Sequence, residues 1–312
     1  MRLVADIGGT NTRLALTGPN TAEVESPRGY RNADYACFED VILAFFDEVG
    51  TCIPEQIVVA MAGPVNGNRG RLTNLDWVID GAALSSRFSG ATVCIINDLT
   101  ALGHAAFHLQ LAQLVSLVTN DAPRSRQRQA LVVGIGTGFN VSPAIDLGDQ
   151  TVCLPVEAGH TSLYASVSAE LDNLKPGLSA AFSTVETLFS GRGRRRFLSL
   201  LTDETVASAT PYIAKTGRPG NEEFDAVLDS YAHLIGVLLR ELKVAYLPTG
   251  GIFLAGGVAR SSLVGERAGI CCSALLHDNE YVSLSPSVWI VDDDAAALTG
   301  CASLVIGKPK SD

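Results

Sequence analysis

The sequence predicts an α/β protein made of two domains of one design, and two observations carry that reading. Short, apolar, β-branched runs of strand length stand between longer amphipathic stretches of helix length. The glycine-rich opening also recurs: Val132-Val133-Gly134-Ile135-Gly136-Thr137-Gly138 can be laid on Val4-Ala5-Asp6-Ile7-Gly8-Gly9-Thr10 with Ile and the following Gly in register. A repeat at that separation exceeds solenoid periods, so it predicts duplication of a domain instead of a repeat array. With 312 residues and an apolar share of 47%, the chain can bury a sizeable core.

Charge and cysteine content narrow the function. A net charge of −10 argues against a nucleic-acid partner, which needs cations to displace counterions from phosphates. Seven cysteines without a C-x-x-C spacing suit a reducing compartment, and Cys271-Cys272 carries no metal-site pattern. Asp6 interrupts any secretory apolar region, and no run reaches membrane-spanning length, so a cytoplasmic protein without a membrane partner is expected.

In chain order, Leu3–Ala5 and Leu14–Leu16 read as strands joined by Asp6-Ile7-Gly8-Gly9-Thr10-Asn11-Thr12-Arg13, a hairpin. Gly8 and Gly9 let backbone N–H groups converge on a phosphate, Thr10 and Asn11 add donors, and a plain tight turn is the alternative. An acid beside a phosphate repels it unless a cation intervenes, so Asp6 is a candidate for holding Mg²⁺ through water. Residues 35–50 read as a helix, with Phe38, Ile42, Phe45 and Phe46 facing the core, and residues 57–62 as a strand. Asn74, in Thr73-Asn74, is placed to reach a polar substrate, and Trp77 reads as packing.

Residues 92–96 form the next predicted strand and residues 99–109 a helix, which puts Asn97 and Asp98 at a strand's carboxyl end. Ligands bind at that edge in open α/β sheets, where a carboxylate can be aimed at a hydroxyl; the other reading has Asp98 only capping the helix. His104 and His108 have an i, i+4 spacing without the Glu of a zinc helix, and a packing role is favoured. Residues 120–128 read as a loop.

The second glycine turn, Gly136-Thr137-Gly138, offers another phosphate cradle, although neither turn is a Walker A or completes G-x-G-x-x-G. Glu157 and His160, three residues apart around Gly159, can both meet one ligand, accepting from and donating to adjacent hydroxyls. Glu186 is either a further hydroxyl acceptor or a first-turn acid. Arg192, Arg194, Arg195 and Arg196 read as a solvated helix face. Residues 224–246 read as a long core helix facing inward along Val227, Tyr231, Leu234, Ile235, Leu238 and Leu242. A strand over 252–255 then ends in Gly256-Gly257, whose bare backbone suits packing on an adenine or ribose. The last strand, residues 288–291, precedes Asp292-Asp293-Asp294, read as first-turn acids of a final helix.

In this order the stretches resemble the bacterial glucokinase family of the hexokinase, heat-shock 70 and actin superfamily. The likeness rests on Asp6–Arg13, Thr73-Asn74, Ile95-Ile-Asn-Asp-Leu-Thr-Ala101, Gly136–Gly138, Leu154-Pro-Val-Glu-Ala-Gly-His160 and Leu254-Ala-Gly-Gly-Val258. No zinc-binding cysteine cluster follows His160, which favours the zinc-free branch. The resemblance implies two ribonuclease-H-like, actin-like ATPase domains with an interdomain cleft: a small domain over 1–98, completed by a C-terminal helix in 295–312, and a large one over 99–294. It implies ATP- and Mg²⁺-dependent phosphorylation of a small-molecule hexose, glucose, at the 6-hydroxyl, and leaves a homodimer open. Asp98 would be the general base, with Asn74, Asn97, Glu157, His160 and Glu186 on the sugar. Asp6, Gly8, Gly9, Thr10, Asn11, Gly136, Thr137, Gly138, Gly256 and Gly257 would serve the nucleotide and its metal.

Three positions depart from the family pattern, which usually has Gly in place of Val156, Ala158 and Asn140. Val156 and Ala158 are expected to add bulk beside the sugar and Asn140 to change a phosphate-side turn, with weak activity or an altered sugar preference as the consequence, and Val156→Gly is expected to improve glucose use if Val156 obstructs the pocket. Alternative functions are a kinase for another hexose, a non-catalytic sugar sensor, and an actin-like filament or chaperone ATPase.

Overall fold

The computed structural model describes residues 1–18, 21–50, 53–72, 75–119, 128–202, 222–277 and 283–306. The chain partitions into two units: Met1–Gln113 with Ala144–Leu154 and Asp293–Asp312, and Leu114–Pro143 with Pro155–Asp292.

In the first unit, β1 (Arg2–Ile7), β2 (Asn11–Thr17), β3 (Glu25–Arg31) and β4 (Gln56–Met61) join a sheet completed by a later strand. A small antiparallel sheet of β5 (Val65–Asn66), β6 (Arg69–Arg71) and β7 (Val78–Asp80) intervenes, and β8 (Thr92–Asn97) then takes the edge, giving the order β3-β2-β1-β4-β8. Alternation along β1 divides its side chains between two cores. Leu3, Ala5 and Ile7 meet Phe38, Ile42 and Phe45 of the Phe38–Val49 helix, the face its spacing predicts. Val4, with Val58 and Ala60 of β4, meets Ala101 of the Asp98–Ala105 helix and Leu298 and Cys301 of the Ala296–Ser303 helix.

That second core moves the expected domain boundary from Asp98 to Gln113. The Asp98–Ala105 helix packs directly on the Ala296–Ser303 helix, and Gly300 makes the approach possible, since a Cβ there would strike the Ala101 carbonyl. Residues 99–113 therefore belong with the first unit, as does the hairpin over 144–154.

The other large sheet contains β9 (Leu114–Val118), β10 (Gln129–Ile135), β11 (Phe139–Asp146), β12 (Thr151–Cys153), β13 (Gly251–Ala255) and β14 (Val288–Val291), in the order β12-β11-β10-β13-β14-β9. The run β12-β11-β10-β13-β14 repeats the connectivity of β3-β2-β1-β4-β8, so the glycine-turn repeat read in the sequence is a repeat of topology. The second unit's core centres on the Glu222–Tyr246 helix, whose Tyr231, Leu234, Ile235, Leu238 and Leu242 are buried with Leu131, Val133 and Ile135 of β10.

One surface expectation fails here. In the Gly191–Leu201 helix Arg194 is only 1% exposed: its Nη1 donates to Ser261 Oγ at 2.7 Å and its guanidinium lies 5.8 Å from the Tyr231 ring centre. Periodicity alone did not separate it from its exposed neighbours, because the partners lie on other helices. The 120–127 part of the predicted loop lies outside the described residues.

Candidate active site

The parallel strands of the first unit end level with one another: Ile7 lies beside Met61, and Met61 beside Asn97. This shared carboxyl edge gathers Asp6, the Gly8–Asn11 turn, Asn97 and Asp98.

Asn97 is the helix N-cap, its Oδ1 accepting from the Leu99 N–H at 2.9 Å while its Nδ2 donates to the Gly63 carbonyl at 3.2 Å. The capping role is thus filled without Asp98, which becomes the first helical residue. Asp98 Oδ1 accepts from the Leu99 N–H at 2.8 Å. Burial pushes its carboxyl above the ordinary range, opposed by hydrogen bonds from the Leu99 and Asp98 N–H groups and the Asn97 side chain. A carboxylate with a raised affinity for protons, fixed at a strand end, suits removal of a proton from a hydroxyl.

Asp6 shares the sheet face of Val4. Burial, and then the charge of Asp98, push it up to about 7; Arg13, 3.9 Å away, opposes the rise, and Asp294 adds to it. Arg13 is itself divided, with Nη2 3.3 Å from Asp294. Behind these groups the Gly8 N–H donates to the Asn11 carbonyl at 2.9 Å. A residue the motifs did not flag, Asn32, holds this turn from beneath. Its Nδ2 donates to the Gly8 carbonyl at 2.8 Å, its Oδ1 accepts from Thr12 Oγ1 at 2.8 Å, and its N–H donates to the Thr10 carbonyl at 2.9 Å. Asn32 is buried, yet it sits in a polar, unpatterned stretch with no local signal of that role. Asn74 lies outside the described residues.

The second unit carries the remaining groups. The Gly136 N–H donates to the Gly138 carbonyl at 2.9 Å, and the Gly136 carbonyl accepts from the Gly191 N–H at 2.8 Å. Gly256, at φ +98°, lies against the same turn: a Cβ there would strike the Ile135 carbonyl and come within 3.1 Å of the Gly136 nitrogen. Gly136 and Gly256-Gly257 therefore bring bare backbone together beside exposed Thr137, while the Glu186 carboxylate lies against Gly138, where an added Cβ would come within 2.7 Å of its Oε2.

Glu157 precedes the short Ala158–His160 turn and His160 ends it, and both are exposed. Gly159 seats that turn against the Phe139 carbonyl, with its would-be Cβ 3.4 Å from Glu186 Cβ. Glu186 Oε2 accepts from the Phe139 N–H at 3.0 Å, so Glu186 lies beside the turn whose ends carry Glu157 and His160. Ala158 is buried in the main core and Val156 packs against it, which directs both added side chains into the core.

His104 is buried, and burial followed by the charge of His108 pushes it down to about 4, the behaviour of a neutral packing histidine. Just before the last helix, Asp293 Oδ1 accepts from the Ala295 N–H at 2.8 Å. Among the described residues no three His, Cys, Asp or Glu side chains form a metal-holding group, and no helix is long and apolar enough to cross a membrane.

Comparison with known proteins decides what this arrangement belongs to. A family model described as Glucokinase matches residues 3–306. The chain belongs to the glucokinase family. It is 30% identical over 265 residues to a glucokinase of Saccharophagus degradans, covering 82% of each chain. It is 31% identical over 272 residues to one of Caulobacter vibrioides, covering 82% of this chain and 80% of that one. Among solved structures, glucokinase from an Antarctic psychrotroph superposes with a TM-score of 0.78 at 26% identity, covering 97% of both chains. A ROK family glucokinase from Streptomyces griseus, in complex with glucose and AMPPNP, shares the fold at 19% identity, covering 96% of this chain and 98% of that one, with a TM-score of 0.62. The family's members are sugar kinases with the actin-like ATPase fold, and so is this chain.

Proposed function

We propose that this sugar kinase transfers the terminal phosphoryl group of ATP to the 6-hydroxyl of glucose, with Asp98 as general base. The observation that carries the assignment is the placement of Asp98: first residue of a helix at a parallel strand's carboxyl end, one oxygen tethered to the Leu99 N–H and burial raising its proton affinity. Phosphoryl transfer asks little covalent work of a protein; it needs an aligned hydroxyl, a proton acceptor and neutralisation of the transferring group.

Asn97, Asn74, Glu157, His160 and Glu186 hold the sugar hydroxyls in this reading. The turns at Gly8–Asn11 and Gly136–Gly138 take the phosphates, and Gly256-Gly257 the adenosine. Mg²⁺ fits the donor set: Asp6 is a half-buried, hard oxygen donor whose cationic partner, Arg13, is shared with Asp294, and this metal commonly binds through one or two carboxylates plus substrate phosphates. When bound it would neutralise charge on the transferring phosphate. Closure of the two units on the sugar, part of the same reading, excludes water as a competing nucleophile.

The test is ADP release by the purified chain with Mg-ATP across a hexose panel, beside Asp98→Asn. The amide can still accept from the Leu99 N–H, so the fold is retained while the base is lost. Glucose-dependent turnover should fall by roughly 10²- to 10⁴-fold in the variant with glucose binding preserved. Turnover that survives the substitution refutes Asp98 as base; preference for a different sugar refutes glucose; sugar binding without any turnover would leave a sensor.

A further inference from the structure

The two glutamates assigned to the sugar are anchored on one dipeptide, Phe139-Asn140, directly after the Gly136–Gly138 turn. Phe139 holds Glu186 through its main-chain N–H. Asn140 holds Glu157 with its side chain: Nδ2 donates to Glu157 Oε2 at 3.1 Å and to the Val156 carbonyl at 2.7 Å. Its Oδ1 accepts from the Ala158 N–H at 3.0 Å and from the Val141 N–H at 2.9 Å. A single carboxamide thus bonds the carbonyl before residue 157, the N–H after it and the carboxylate itself.

The chemistry of this bracket is specific to asparagine. The side chain must donate and accept at the same time; aspartate cannot donate, and glycine can do neither. An exposed glutamate on a turn otherwise has several rotatable side-chain bonds, and binding must freeze them. A carboxylate held through one oxygen presents the other, Oε1, in a fixed direction. An acceptor so fixed favours ligands with a hydroxyl at one position and disfavours those without it, because a charged group left unbonded is costly.

We infer that Asn140 is a positioning residue, setting the Glu157 carboxylate for one hydroxyl of the sugar and sharpening selectivity among hexoses. The inference rests on the sugar-kinase reading above and adds to it the side chain that orients the sugar's acceptor.

The test compares Asn140→Gly and Asn140→Asp with the wild-type chain in kcat and KM for glucose, for ATP and for the series of mono-deoxyglucoses, with thermal melting as a check on folding. Asn140→Asp keeps an oxygen for the Ala158 and Val141 N–H groups but replaces the donor with an anionic oxygen facing the Glu157 carboxylate and the Val156 carbonyl, so it turns the hold on Glu157 into repulsion, while Asn140→Gly removes the hold without adding charge. Both variants should raise the glucose KM about tenfold or more, the worth of a hydrogen bond to a charged group, while the ATP KM stays near its wild-type value. The penalty should disappear for the one deoxyglucose lacking the hydroxyl that Glu157 accepts. A wild-type KM in folded variants overturns the inference. So does an equal penalty on every deoxyglucose, or a loss of cooperative melting in both variants, since each makes Asn140 a structural residue only. A wild-type chain inert toward every hexose refutes the kinase reading itself, and the inference with it.

Discussion

At the scale of single residues, the site is defined by carboxyl groups whose surroundings differ. Asp6 lies in a desolvated position beside Asp98, and its folded-state value of about 7 exceeds the ordinary 3.8. Between those two values the folded chain retains a proton that the unfolded chain has released, so the contribution of Asp6 to stability declines as pH rises from about 4 to about 7. Over about three units this amounts to about 4 kcal/mol at most. Asp6→Asn removes the decline. Urea midpoints of the variant should match wild type near pH 4 and exceed it at pH 8, whereas parallel profiles would show that Asp6 is not the titrating group. Val156 belongs to the same scale. Because it packs on the core, Val156→Gly should lower stability by about 1–2 kcal/mol in urea titration and leave glucose KM no better. A lower KM would restore the view that this side chain obstructs the sugar.

At the scale of elements, the position of Asp98 depends on one helix pair. The Asp98–Ala105 helix seats against Ala296–Ser303 at Gly300, where an added Cβ would meet the Ala101 carbonyl and lie 3.1 Å from the Ala105 nitrogen. Those backbone atoms cannot rotate aside as a flexible side chain would, so Gly300→Ala must shift a helix, at about 2 kcal/mol or more. The expected readout is a lower denaturation midpoint with a reduced kcat, since displacement of the base misaligns it with the hydroxyl. Unchanged stability would mean the helices are not seated as described. The Gly8–Asn11 turn is likewise held by an element outside itself: Asn32, just beyond β3, bonds it at Gly8, Thr10 and Thr12. The strand-turn-strand pattern was legible in the sequence, but the residue that fixes its shape was not, because it lies twenty positions away from Thr12 and belongs to no periodic pattern.

At the scale of the whole molecule, each of the two large sheets contains a five-strand run of the same connectivity, with a glycine turn after the run's first strand, β1 in one and β10 in the other. The sequence by itself determined this duplication, the strand-end location of Asn97 and Asp98 and the inward face of the Glu222–Tyr246 helix. Each follows from local causes: alternation, 3.6-residue periodicity and the freedom of glycine. Only the tertiary structure decided that Asn97 caps the helix in place of Asp98, that residues 99–113 join the first unit, and that Arg194 is buried. It alone set Val156 against the core and placed Asn140 as the clamp on Glu157. These outcomes depend on contacts between segments far apart in the chain, where geometry chooses among partners that local chemistry leaves equivalent.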